Sequence, residues 1–210
     1  MTKDDVAQKM NPTKIVIIRH GQTAYNKEKR IRGWSDVPLD NEGREQVKRT
    51  AHKLESKKLD GLIASDLDRT QETAAIIASI TGLPILKVTK DFRPWHLGDL
   101  TGEPIEQAHP IMKKYAQDYP DETIQGGESF DAFKSRFLTG IERVLKNYPG
   151  QTIGIVTHHR GDRIFNAWKK KGFPSSFDVD MSVFLQEGID PGDFEDPVAV
   201  IISPQRSKHK

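Results

Sequence analysis

Apolar residues in this chain of 210 residues occur either in short unbroken runs or at intervals of three and four positions. Short unbroken runs bounded by polar residues are typical of strands that are buried on both faces. Four such runs precede residue 158, and two more lie near the carboxyl end. The strands predicted in this way cover residues 14–18, 59–65, 85–88, 152–157, 182–185 and 198–202.

The segments between these strands show helical spacing. Val47, Ala51 and Leu54 mark one apolar stripe, and Asp40 or Asn41 is placed to cap its helix. Alternating strands and helices predict an α/β protein, in which helices cover both faces of a mostly parallel central sheet in three layers, α/β/α. The irregular link between the last two strands predicts that they pair antiparallel. The other predicted stripes are Ala74, Ile77 and Ala78, then Phe130, Phe133, Phe137, Ile141 and Val144, then Ile164, Phe165 and Trp168.

The periodicity breaks down between residues 91 and 125, where prolines and glycines interrupt it. Within this segment, residues 105–119 are predicted to form one or two helical turns. We expect the segment to be an insertion at the carboxyl edge of the sheet, a lid that sets the substrate. Residues 14–203 are predicted to form a single catalytic domain. A polar leader (1–13) and a polar tail (204–210) flank it.

Composition narrows the classes of function. The chain has no cysteine, which excludes disulfides and thiolate chemistry. A formal net charge of +2 is too small to indicate nucleic acid binding. No apolar run resembles a signal peptide or approaches the roughly 20 residues that cross a bilayer, so we expect a cytoplasmic protein with no membrane partner. The sequence does not indicate an oligomeric state.

Cationic and imidazole side chains follow three of the predicted strands. Arg19 and His20 end the first, Arg69 comes just after the second, and His158 ends the fourth. Because the carboxyl ends of parallel strands share one edge of a sheet, these side chains are expected to converge on one anion. Arginine binds phosphate or carboxylate in a two-pronged way, and neutral histidine is a good nucleophile. The hypothesis is therefore that His20 attacks a phosphoryl group held by arginines.

These residues belong to a longer pattern, which resembles the histidine phosphatase superfamily, also called the phosphoglycerate mutase-like family. The resemblance covers roughly residues 14–163 and rests on five blocks in the same order. They are Arg19-His20-Gly21-Gln22-Thr23; Asn26, Arg30, Gly33, Asp36 and Pro38-Leu39; 64–74, with Arg69; Gly126-Gly127-Glu128-Ser129; and Val156-Thr157-His158. The resemblance implies a phosphoglycerate mutase-like fold and no metal or organic cofactor.

The resemblance also implies roles. His20 is expected to be phosphorylated in turnover, with Arg19 and Arg69 holding the phosphate and His158 stabilising the transferring group. A small phosphorylated molecule is the expected partner. Substrate contacts are expected from Asn26, Thr23, Arg30 and His159, although Arg30 and Arg32 are as readily rim charges.

One position departs from the family pattern. A glutamate that acts as general acid usually follows the third strand, and Pro94 stands in its place here. Another branch uses an aspartate directly after the second histidine, where this chain has His159. The substitutes nearest in sequence are His96, Asp99 and Glu103. Without any donor, the enzyme is expected to favour substrates with good leaving groups.

The sequence favours a phosphatase that hydrolyses phosphate monoesters through a phosphohistidine at His20. Two alternatives stay open. One is a phosphoglycerate mutase-type phosphotransferase, which would need a proton donor where Pro94 stands. The other is a weakly active pseudo-phosphatase that binds a phosphorylated ligand. Simpler structural explanations also exist, in which His20 only caps a strand, His20, His158 and His159 bind a metal, or Arg69 pairs with Asp66 or Asp68.

Overall fold

The computed structural model describes residues 12–186, 190–196 and 198–200. The strands are β1 (Lys14–Arg19), β2 (Gly61–Ser65), β3 (Ile85–Thr89), β4 (Thr152–Thr157) and β5 (Val198–Ala199). The helices are α1 (Ala24–Lys27), α2 (Asn41–Leu54), α3 (Asp68–Thr81), α4 (Ile105–Asp118), α5 (Phe130–Asn147), α6 (His159–Lys170) and α7 (Met181–Phe184).

The strands form one sheet in the order β3-β2-β4-β1-β5. The first four of these are parallel, and β5 pairs antiparallel with β1. Strand β1 lies beside β4 with Arg19 opposite Thr157, and β4 lies beside β2. The carboxyl ends of β1, β4 and β2 therefore lie side by side at one edge, as the sequence predicted.

Side chains of β1 alternate between two cores. Ile15 and Ile17 belong to the core beneath α4, α5 and α6, whereas Val16 and Ile18 belong to the core beneath α2 and α3. Because successive side chains of a strand point to opposite faces, a run of four β-branched residues fits a strand that helices cover on both sides. The predicted three-layer α/β/α fold is confirmed.

Two predictions near the cavity described below were wrong. The segment predicted to hold one or two helical turns forms the full helix α4, because Ala108, Met112 and Ala116 recur every four residues and are buried. Residues 182–185, predicted as a strand, lie in and directly after the short helix α7, which the Asp180 side chain caps by accepting a hydrogen bond from the Ser182 N–H. The antiparallel strand at 198–199 therefore pairs with β1 instead.

The boundaries predicted at the termini fall largely on residues 1–11 and 201–210, outside the described part of the chain. Thr13, placed in the predicted leader, is buried, and its hydroxyl donates to the Tyr148 carbonyl at 3.0 Å. The predicted insertion contributes Phe92, Trp95 and Leu97 to the core beneath α5. Within the described residues, no helix is long and apolar enough to cross a membrane.

Helix α2 packs directly against the backbone that follows His20. The Asp40 side chain caps this helix by accepting from the Gly43 N–H at 2.7 Å. Glycine is required at position 43 by the close approach, since a β-carbon there would overlap the backbone oxygen of Gln22. The start of α2 thereby fixes the loop that leaves the sheet edge.

We expect Gly43→Ala to lower the free energy of unfolding by about 1–3 kcal/mol, because the added methyl overpacks this contact. The effect should appear even though alanine favours a helix interior by about 1 kcal/mol over glycine. Urea denaturation of the purified protein measures it. Lys48→Ala, at an exposed position of the same helix, is the control and should change stability by less than about 0.5 kcal/mol. Equal stability of both variants would contradict the close-packing argument.

Candidate active site

Three neighbouring strand ends bring the predicted residues together. Arg19 ends β1 and His20 follows it, His158 lies between β4 and α6, and Arg69 is in the first turn of α3 after β2. The His20 N–H donates to the Thr157 carbonyl at 3.1 Å, which ties the two histidine-bearing strand ends together. The imidazole rings of His20 and His158 lie edge to face, with centroids 5.2 Å apart.

Hydrogen bonding defines the tautomer of His20. Its Nδ1 lies 2.7 Å from the Gly21 carbonyl oxygen. A carbonyl only accepts, so Nδ1 carries the proton and Nε2 of the neutral ring holds a lone pair. Nε2 is buried and makes no hydrogen bond within the described residues. A neutral imidazole with its Nε2 lone pair unengaged is a nucleophile ready for use.

His158 has the opposite tautomer. The Arg69 Nε–H donates to its Nδ1 at 3.3 Å, so the proton is on Nε2, which lies 3.1 Å from the Ser65 hydroxyl. The two other nitrogens of Arg69 donate to the carbonyls of Ser35 (2.7 Å) and Gly33 (3.0 Å). Arg69 is therefore held in place by neutral acceptors, and none of these contacts cancels its charge.

Arginines concentrate positive charge around a cavity of about 570 Å³ at this edge. Burial, together with the charges of Arg19, Arg69 and Arg160, lowers the pKa of Arg32 to about 9. Burial lowers the pKa of Arg69 to about 10, against the opposing effect of Asp36. Guanidinium groups stay charged at neutral pH, so such a cluster is stabilised by a bound anion. The arginines lining the cavity are Arg19, Arg30, Arg32, Arg69 and Arg160.

The same charges keep the histidines neutral. Burial, followed by the charges of Arg69, Arg32 and Arg19, holds the pKa of His20 well below its usual value. Burial and Arg69 do the same for the pKa of His158. Because a protonated imidazole cannot attack, this depression keeps the lone pair of His20 available in acidic as well as neutral solution.

The residues predicted to contact substrate lie at different depths. Asn26, Arg30 and His159 line the cavity. Thr23 is buried and does not line it; its hydroxyl donates to the Asn26 side-chain oxygen at 2.8 Å and so positions Asn26. Arg30 is exposed, pairs with Glu28 at 3.1 Å, and donates to the Gly102 carbonyl.

None of the three predicted proton donors lines the cavity. His96 packs edge-on against Trp34, with centroids 4.4 Å apart, and its Nδ1 accepts from the Gly98 N–H. Asp99 and Glu103 are exposed outside the cavity. Pro94 does line it, so the place where the family pattern puts an acid is at the cavity wall. Distance along the chain was the wrong guide, because the turn after Pro94 carries the next residues away from the cavity.

A partly buried ion pair fixes the segment that carries Pro94. Arg136 donates to the Glu128 carboxylate at 2.6 Å, and to the backbone carbonyls of Arg93 and Pro94. Trp34 donates from its indole nitrogen to the Pro94 carbonyl at 2.8 Å. This wall of the cavity is therefore held by hydrogen bonds to its backbone.

The sequence prediction missed two cationic residues that line the cavity. Arg32 was left open between rim and substrate contact, and its charge acts on both His20 and His158. Arg160 lies in the first turn of α6, two residues after His158, and no role was predicted for it. Its place directly after a histidine pair at a strand end was the available signal.

Comparison with known proteins identifies the family. A family model described as the histidine phosphatase superfamily, branch 1, matches residues 15–175. The chain belongs to this superfamily. The match includes Arg19, His20, Arg69 and His158, the residues that the fold gathers at the sheet edge.

Relatives in this superfamily have names of two kinds. The chain is 37% identical over 150 residues to phosphoglycerate mutase-like protein 4 of Arabidopsis thaliana, which is 69% of this chain and 65% of that protein. It is 30% identical over 146 residues to the uncharacterized phosphatase PhoE of Bacillus subtilis (strain 168), which is 70% of this chain and 72% of that protein. The matches thus span about two thirds of each relative's length.

Solved structures show the same fold. A mycobacterial glucosyl-3-phosphoglycerate phosphatase in complex with VO₃ superposes with a TM-score of 0.69, covering 86% of this chain and 90% of that one. At 24% identity, this likeness concerns the fold alone. The superfamily and the sequence relatives together indicate an enzyme, either a phosphatase or a phosphoglycerate mutase-like enzyme.

Buried neutral histidines make the stability of this histidine phosphatase family member depend on pH. Burial and Arg160 lower the pKa of His159 to about 2, from the usual 6.5. Below about pH 6.5 the unfolded chain takes up protons that folded His20, His158 and His159 refuse, so stability falls as the pH falls. Each of the three contributes a slope of up to about 1.4 kcal/mol per pH unit.

We expect His159→Gln to reduce this slope by up to about 1.4 kcal/mol per pH unit between roughly pH 6.5 and 5, since one fewer proton is then taken up on unfolding. Urea denaturation over this range measures it. His52→Gln, at an exposed position on α2, is the matched control and should leave the slope unchanged. A wild-type stability that does not change below pH 6.5 would show that the three histidines are not buried in the neutral form.

Proposed function

We propose that this protein is a phosphoric monoester hydrolase that works through a phosphohistidine on His20. The observation that carries the proposal is the Nε2 lone pair of His20, which is buried, makes no hydrogen bond within the described residues, and lies among arginines. In this proposal, Nε2 forms a bond to phosphorus as the bond to the organic oxygen breaks, and water then displaces the histidine.

The arginines supply the electrostatic part of this mechanism. Phosphoryl transfer spreads negative charge over the non-bridging oxygens, and cations fixed in place before the reaction lower its barrier. Arg19, Arg32 and Arg69 are such cations, and the Nε2–H of His158 is a further donor near the ring of His20. Because His20 is fully buried, a covering side chain must move aside as the phosphate enters.

An apolar wall supports a substrate whose organic part is not fully polar. Ile105, His109 and Met112 lie on one face of α4, spaced four and three residues apart, and all three line the cavity. Leu97 and Leu185 line it as well. We therefore propose that the phosphate sits among the arginines and the organic group against α4.

Hydrolysis is preferred to mutase activity. A mutase must keep its phosphoenzyme intact and hold a second acidic substrate, and it needs a proton donor where Pro94 lies. The relative named as phosphoglycerate mutase-like keeps the mutase as the second candidate. Release of inorganic phosphate, assayed against formation of an isomeric phosphate ester, separates the two.

Incubation with a ³²P-labelled phosphodonor is expected to label the wild-type protein on His20 in an acid-labile bond. His20→Ala should abolish the label because the attacking nitrogen is gone, and His52→Ala, at an exposed position, should keep it. Rapid quenching followed by gel autoradiography measures the label. A wild type that binds phosphate esters but never becomes labelled would favour the binding-only alternative.

Arg32→Gln is expected to weaken inhibition by inorganic phosphate by about 10- to 100-fold, since a charge-assisted hydrogen bond is worth about 1.5–3 kcal/mol. Arg30→Gln is the matched control: it removes the same charge two residues away, but that side chain is exposed and paired with Glu28. It should weaken inhibition by less than about threefold. Inhibition constants of phosphate for each variant decide the matter. Equal losses in both variants would place Arg30 in the phosphate site, as the family pattern implied.

A further inference from the structure

The cavity offers one carboxylic acid among the described residues that line it, and this is Asp190. Pro94, at the usual position of the acid, has no proton to give, and His96, Asp99 and Glu103 do not line the cavity. A positioned donor typically contributes about 10²- to 10⁴-fold to the rate of such a reaction. The source of the leaving-group proton must therefore lie elsewhere on the cavity wall or be absent.

A turn attaches Asp190 to the strand that carries the nucleophile. The Asp193 N–H donates to the Asp190 carbonyl at 3.1 Å and closes the turn. Gly192 has a φ of 77°, in the left-handed region that favours glycine, and its N–H donates to the His20 carbonyl at 2.9 Å. The Arg19 N–H donates to the Asp193 carbonyl at 2.9 Å. Asp190 is thus two residues from a direct backbone contact with His20.

We propose that Asp190 gives a proton to the leaving group and later takes one from the attacking water, an inference that rests on the proposed phosphohistidine mechanism. First, Nε2 of His20 forms the P–N bond, the P–O bond to the organic group breaks, and the leaving oxygen takes the proton of the Asp190 carboxylic acid. Then the carboxylate takes a proton from water as its oxygen bonds to phosphorus and the P–N bond breaks. The net reaction consumes the ester and water and yields an alcohol and phosphate, with His20 and Asp190 restored.

The proton arrives with the substrate. A carboxylate beside a monoanionic phosphate ester has the same proton count as a carboxylic acid beside the dianion. The arginine cluster favours the dianion, so the proton is best placed on a nearby carboxylate. Asp190 is exposed at the cavity and exchanges protons with solvent between turnovers.

Two imidazoles other than His158 line the cavity and are the rival donors. His159 is surrounded by arginines and neutral, which makes it a poor acid. His109 is carried by α4, and the start of this helix is tied to the distant side of the cavity by the hydrogen bond from the Ile105 N–H to the Lys29 carbonyl. Only the turn of Asp190 hydrogen-bonds to the backbone of His20 itself.

The test is the dependence of kcat/KM on the pKa of the leaving group, because kcat/KM reports the steps up to release of the alcohol. A series of aryl phosphates and one alkyl phosphate supplies the range. We expect a shallow dependence for the wild type and a steep one for Asp190→Asn, with losses of about 10²- to 10⁴-fold for the alkyl ester and less than about tenfold for 4-nitrophenyl phosphate.

Asp193→Asn is the matched control, since it makes the same change on the same turn at a residue outside the cavity lining. It should keep the wild-type slope. His109→Asn should also keep this slope, whatever its absolute rate. A steep slope in His109→Asn with a shallow one in Asp190→Asn would overturn the proposal and make His109 the donor, and an already steep wild type would show that no donor acts.

³²P labelling separates this inference from the proposed function. Asp190→Asn should still become labelled on His20 when a good leaving group is used, because the nucleophile is intact. If labelling succeeds and the slopes of wild type and Asp190→Asn coincide, Asp190 is not the donor and the phosphohistidine mechanism stands. If the wild type is never labelled, the proposed function fails first and this inference fails with it.

Discussion

Mutual repulsion among buried arginines is the constraint on which the site depends. Arg32 and Arg69 are buried beside Arg19 and Arg160, and the pKa values of both are lowered as a result. Backbone carbonyls, which carry no net charge, hold Arg69 in this strained position. The cluster has two consequences, affinity for an anion and neutral histidines, and a phosphohistidine mechanism needs both.

The architecture creates this constraint by bringing together side chains that are far apart in sequence. Parallel pairing of β1, β4 and β2 places His20, His158 and Arg69 at adjacent strand ends. Helices on both faces then bury these ends, which removes the water that would otherwise screen the charges. The Gly21 carbonyl sets the tautomer of His20, and Arg69 sets that of His158, so the two rings take complementary roles.

Strand ends were predictable because burial on both faces leaves a local mark, a run such as Ile15–Ile18, directly before the reactive residues. Arg19, His20, Arg69 and His158 were therefore found from the sequence, whereas Arg32, Arg160 and Asp190 were not. Arg32 follows no strand, and Asp190 reaches the cavity only because its turn hydrogen-bonds to β1 and His20. Such long-range pairings leave no periodic signal in the chain.

The sequence by itself determined the α/β/α layering and the residues at the ends of β1, β2 and β4, because alternation and apolar runs are local properties. Only the tertiary structure decided which side chains line the cavity. His96, Asp99 and Glu103 are close to Pro94 in sequence but lie off the cavity, and Asp190 is far from it in sequence but lines the same space. Facing a common cavity depends on how turns and helices pack after the sheet has formed, and sequence distance carries no information about that.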